Sequence, residues 1–105
     1  MADYISSYYN SIYKISSTQI RGYVKTTTYT NVSSIEYTMY FQREISGNWS
    51  TISTKTGIVY STNNQISYEY LTVLDGYNYR IRTIHTVRKN SDVESRTLVS
   101  SVIYV

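Results

Sequence analysis

Few side chains in this sequence are placed to do chemistry. His85 is the single histidine, inside the alternating stretch Tyr79-Arg-Ile-Arg-Thr-Ile-His85-Thr-Val. A Ser-His-Asp set would need His85, one of 16 serines, and Asp3, Asp75 or Asp92. No Gly-x-Ser-x-Gly elbow singles out a serine. At an inward strand position His85 reads as a buried, hydrogen-bonded residue rather than a base. Glu36, Glu44, Glu69 and Glu94 supply carboxylates. A glycosidase pair must stand about 5 or 6.5–9.5 Å apart across a cleft, and a chain of 105 residues has little room for one. Glu36, Glu44 and Glu69 read instead as cross-strand partners of Arg43, Arg80 or Arg82 on an outer sheet face, worth about 0.2–1 kcal/mol each. The absence of cysteine excludes disulfides, thiolate metal sites and a Cys nucleophile. Asp75 and Asp92 fall in turns without the repeated acidic pattern of a calcium loop. The expectation is a non-enzyme, with no catalytic residue, no metal and no cofactor.

The tyrosines are the other chemically distinctive group, 14 in all. Alternation places Tyr37, Tyr68, Tyr70 and Tyr79 inward, and Tyr4, Tyr8, Tyr9, Tyr13, Tyr23, Tyr29 and Tyr40 outward. An exposed tyrosine among Ser, Thr and Asn presents a flat apolar face with a polar rim, suited to sugar stacking or protein contact. Two uses are expected. Tyr4, Ile5, Tyr8, Tyr9 and Tyr13 form a contact surface for self-association. Tyr23, Tyr40 and Trp49 form the alternative, a saccharide-binding face.

The elements that position these residues are strands. Ile, Val, Thr, Tyr, Phe and Trp make up 51 of the 105 residues, against one Ala and three Leu. That balance favours a pleated, half-buried surface. Only 16% of residues are charged, so the polar surface is hydroxylic. The first strand is expected at Ile12–Ser17, after a Tyr-rich N-terminal arm at 1–11. Ile20 to Thr26 alternates, Tyr29-Thr30-Asn31 connects, and Ile35, Tyr37, Met39 and Phe41 share one face of the next strand. Ser46-Gly47-Asn48 is a hairpin signal, Trp49 opens the return strand, and Thr56-Gly57 and Ser61–Asn64 break it. Gln65 to Leu74 and Tyr77 to Arg88 are strands on either side of Asp75-Gly76. Lys89–Asp92 turns into a last strand, Glu94 to Val105. Seven or eight strands with turns this close predict an all-β antiparallel sandwich, one domain over 12–105.

Two stretches resemble known families. Leu71-Thr-Val-Leu-Asp-Gly-Tyr-Asn-Tyr-Arg-Ile-Arg82 resembles the E–F corner and F strand of fibronectin type III domains. That resemblance implies that Tyr77 or Tyr79 is a corner tyrosine bonding back to backbone near Leu74, and that the sandwich is immunoglobulin-like. Gly76-Tyr-Asn-Tyr-Arg-Ile-Arg-Thr-Ile-His-Thr-Val87, with Glu94-Ser95, the end Ser100-Ser-Val-Ile-Tyr-Val105, Tyr40-Phe-Gln-Arg43 and Asn48-Trp49, resembles a family of small uncharacterised secreted β-sandwich proteins of Gram-positive bacteria. It implies secretion and brings no activity.

The net charge of +3 is spread along the chain, without the clustered stripe or motif of a nucleic-acid binder. No apolar run is long enough for a membrane helix. The Ile, Tyr, Asn and Lys content points to an AT-rich genome. No signal peptide is visible, and a mature, secreted or surface-displayed chain is expected. The sequence thus predicts a non-enzymatic extracellular structural or interaction protein. It is expected to polymerise into a fibre or surface layer through strand edges and its N-terminal arm, because it has no proline and few charges to blunt those edges. The alternative is a cell-wall glycan-binding module.

Overall fold

The computed structural model describes residues 3–105. Among them there is no helix, and six strands form one antiparallel sheet. These are β1 (Ile5–Ser16), β2 (Gln19–Ile45), β3 (Asn48–Thr72), β4 (Asn78–Lys89), β5 (Asp92–Val99) and β6 (Ile103–Tyr104). The count is lower than the seven or eight expected, because two long strands each replace a pair. At roughly 3.3 Å per residue, the 25 residues of β3 would reach well past the molecule's longest dimension of 45 Å. The β2–β3 hairpin must therefore bend. It does so where its register shifts between Thr27 and Val32, opposite Thr62–Asn64, with Ser61 at φ 52°. These are the segments Tyr29–Asn31 and Ser61–Asn64 that the sequence marks as turns. Thr56-Gly57, by contrast, runs straight on as strand, paired with Thr38 and Tyr37.

The bend divides the sheet into two wings. In the first, β1 and the C-terminal part of β3 flank the N-terminal part of β2. In the second, the N-terminal part of β3 and β4 flank the rest of β2, and β5 and β6 pair with β4. The wings curl so that their inner faces meet. Ile12, Ile20 and Val24 from the first pack with Tyr37, Met39, Phe41, Tyr79 and Ile81 from the second. A fully buried side chain of this size contributes about 1.5–3 kcal/mol. Gly22 permits the close approach, since a Cβ there would overlap the Met39 sulfur and lie 3.1 Å from Phe41 Cζ.

Two-residue turns close the hairpins. Ser46 (φ 52°) and Gly47 (φ 81°) link the paired Ile45 and Asn48, as the Ser-Gly-Asn signal predicts. The residues expected as a separate arm, 1–11, are part of the domain as far as they are described. From Ile5 on they pair with β2, and Ile5 and Asn10 are buried. The alternation of this segment is broken by a register shift between Ile5 and Ser7 and by the polar Asn10 at an inward position, which hid the strand in the sequence. The last expected strand is likewise divided, with β5 on one stretch of β4 and β6 on another.

Candidate functional site

The single histidine lies between the wings. His85 is fully buried, with Nδ1 2.8 Å from Thr26 Oγ1 and Nε2 2.8 Å from Thr83 Oγ1. Asn10 extends the chain by donating to Thr83 Oγ1 (2.9 Å) and to the Leu98 carbonyl (3.0 Å). The Tyr8 ring packs at 5.3 Å from the imidazole. Burial pushes His85 down to about 4. Both ring nitrogens are thus taken by threonine hydroxyls, which is the satisfied core histidine that the strand phase predicts.

The five residues expected for self-association divide between two places. Tyr4, Ile5 and Tyr8 are engaged within their own chain. The Tyr4 and Ile5 amides donate to Glu94 Oε1 at 2.7 and 2.9 Å, and the Tyr4 hydroxyl donates to Asp92 Oδ2 at 2.6 Å. That bond, more than burial, raises the Tyr4 phenol above its usual 10.0. Glu94 is itself held by Arg96 at 2.8 Å. Tyr9 and Tyr13 instead point outward from the first wing, half exposed.

There they meet Tyr23, one of the three residues expected for saccharide binding. Tyr23 lies between Tyr9 (ring centroids 5.8 Å) and Tyr68 (5.0 Å). Burial among these rings raises its phenol, with the neighbouring phenols adding to the effect. Arg21 stacks over Tyr13 and over Tyr68, 5.0 Å from each ring. A shallow depression lined by Tyr9, Ser11, Tyr13, Arg21, Tyr23 and Tyr68 results. Tyr68 and Tyr70, expected inward, are 52% and 51% exposed. Their outward phase follows from pairing opposite Tyr23 and Arg21, while Gln65 turns in and Glu69 takes the Tyr37 hydroxyl. The sequence therefore missed Tyr68, Tyr70 and Arg21. The opposition of Tyr23 to Tyr68 depends on a register that only the bend fixes.

Tyr40 and Trp49 do not join Tyr23. They lie on the outer face of the second wing, and each is covered by an arginine. Arg80 is 4.3 Å over Trp49 and Arg82 is 5.5 Å over Tyr40. Arg43 likewise stacks on Tyr77 and Tyr79. The expected Glu–Arg cross-strand pairs are thus replaced by cation–π contacts, worth about 0.5–1 kcal/mol at exposed sites. Among the described residues, Arg96 alone forms ion pairs, with Glu94 and Asp3.

A second surface is the outer edge of β3. Among the described residues this strand pairs with β2 and with no other strand along its length. Ile58, Val59, Tyr60 and Ile66 are exposed on it.

Comparison with known proteins adds little. No family model and no curated protein matches the chain. Among solved structures, a crystal structure of a protein from Archaeoglobus fulgidus is similar at 13% identity, over 96% of this chain and 97% of that one. Its TM-score of 0.42 is too low to carry an argument. Among the described residues no helix is long and apolar enough to cross a membrane.

Proposed function

We propose that this is a non-enzymatic extracellular interaction protein that assembles with further copies of itself through the open edge of β3. The observation that carries this reading is that β3 pairs on one side only from Asn48 to Thr72. An unpaired edge offers its outward N–H and C=O groups to another strand. This edge holds no proline, and its two charged residues are Lys55 and Glu69, each seven positions from Thr62. A second copy laid antiparallel about a twofold axis at Thr62 sets Lys55 against Glu69 at both ends. The axis runs along the sheet normal, so both copies bend toward the same side and the curvature matches. The N-terminal tyrosines are not a free arm in this account, since Tyr4, Ile5 and Tyr8 are bound in cis. The scaffold belongs to the same proposal as an immunoglobulin-like sandwich. It is supported by the facing wings and by the Tyr79 hydroxyl, which donates to the Leu74 carbonyl at 2.5 Å, the bond of a tyrosine corner. The hydroxyl-rich, weakly charged, cysteine-free composition supports secretion or surface display. Sedimentation velocity across concentrations tests the assembly. Association is expected in the native protein, weakened roughly tenfold by Lys55→Glu, which creates two like-charge pairs worth about 1.4 kcal/mol together. A strict monomer at every concentration overturns it.

The second reading, saccharide binding, is favoured by the tyrosine face of the first wing. Its residues are Tyr23 with Tyr9, Tyr13 and Tyr68, rather than Tyr23 with Tyr40 and Trp49.

A further inference from the structure

We propose that the tyrosine face of the first wing binds carboxylate-bearing saccharides, with Arg21 as the residue that pairs with the sugar carboxylate. This deepens the saccharide reading and does not depend on assembly at β3. Three observations carry it. First, Arg21 is fixed but unneutralised. Its guanidinium is held between the Tyr13 and Tyr68 rings, its Nε is buried without a hydrogen-bond partner, and no carboxylate among the described residues lies within ion-pair distance. A guanidinium that is already positioned loses little freedom on pairing and matches a carboxylate with two parallel bonds.

Second, the face is one-signed. The outward residues of this wing lie opposite one another along Ser7–Tyr13, Gln19–Thr27 and Asn64–Thr72. They include Arg21 and Lys25 and no Asp or Glu. Lys25 stands four residues along the strand from Arg21, about 13 Å at roughly 3.3 Å per residue. The face is thus complementary to a chain that repeats its negative charge. Third, the surroundings suit a sugar ring. Tyr23 and Tyr68 present aromatic faces with hydroxyl rims, and the Ser11 side chain lines the same depression between Tyr9 and Tyr13. A single-stranded nucleic acid fits less well, because such ligands are bound in grooves whose positive charge follows every phosphate, and two cations do not supply that.

Calorimetry on the native protein tests the assignment, with four titrants: an oligogalacturonate, its methyl ester, a sulfated oligosaccharide of equal length, and an oligo-dT. The uronate is expected to bind at least tenfold tighter than each of the others. Arg21→Gln is expected to remove that tenfold preference, and Arg88→Gln, an exposed cation elsewhere, to leave it intact. Should Arg21→Gln fold poorly, amide and tyrosine-ring shift mapping on the native protein replaces it. Uronate-induced shifts are expected to centre on Tyr13, Arg21, Tyr23 and Tyr68. Equal binding of uronate and methyl ester overturns the carboxylate role while leaving saccharide binding in place. No binding of either sugar overturns both. Tighter binding of oligo-dT or the sulfated sugar, or shifts centred away from this face, also overturns the proposal.

Discussion

His85 shows how a single polar residue is made safe in a small core. Its two nitrogens meet two threonine hydroxyls from different wings, so the imidazole ties Thr26 on β2 to Thr83 on β4. The same burial makes it a source of acid sensitivity. Its folded-state value near 4 lies below the ordinary 6.5, so the folded protein refuses a proton that the unfolded chain accepts. The contribution is complete above pH 6.5 and is lost as pH falls toward 4, on the order of 3 kcal/mol in all. Urea unfolding followed between pH 7.5 and 4 is expected to show this loss. His85→Gln, which offers a donor and an acceptor but does not titrate, is expected to flatten that part of the profile. An unchanged profile in the variant contradicts the assignment. The histidine was readable at the residue level because the alternation of Tyr79, Ile81, Thr83 and His85 is unbroken. Arg21 was not, since nothing local says that two rings will close over it.

At the level of elements, the N-terminal strand carries the sharpest departure from the sequence reading. Residues 1–11 read as an arm because Tyr4, Ile5, Tyr8 and Tyr9 lack a period of two. In the structure Asn10 occupies an inward position that a hydrophobic pattern would never predict, and Glu94 accepts two consecutive amides where a backbone carbonyl is usual. Both are polar residues used to join β1 to β5 across a gap without strand pairing. Deleting residues 3–11 is therefore expected to cost the protein its cooperative fold, not merely a loose end. Far-UV and near-UV circular dichroism through a thermal melt checks this. A truncated protein that melts like the full chain shows the segment to be dispensable. Most turn signals marked real turns or bends, but Thr56-Gly57 is plain strand and the Ser17-Thr18 turn carries no Gly or Asn to announce it. Tyr29–Asn31 and Ser61–Asn64 are composed like loops because the hairpin must give up its pairing there to curl. Strand count was the part that composition could not supply, since a bend and a turn have the same residues.

At the scale of the whole molecule, the curl explains both surfaces. It buries the inner faces of the wings in two apolar clusters, a larger one around Phe41 and Tyr79 and a smaller one of Ile5, Val32, Ile35 and Val87, and leaves Tyr9, Tyr13, Tyr23 and Tyr68 outward on the first wing. Among the described residues, it also leaves β3 without a pairing strand on its outer side over 25 residues. The absence of proline and the sparse charge, legible from the composition, take on meaning at that edge. The proposed assembly sets β3 against its own copy about Thr62. The cysteine-free chain makes this directly measurable, because Thr62→Cys supplies the sole thiol. Residues facing one another across an antiparallel pair have Cα atoms about 4.5–5.5 Å apart, within reach of a disulfide. Oxidation of the Thr62→Cys protein is expected to yield a covalent dimer far faster than oxidation of a Thr97→Cys control on β5. Equal rates for the two would contradict pairing at β3.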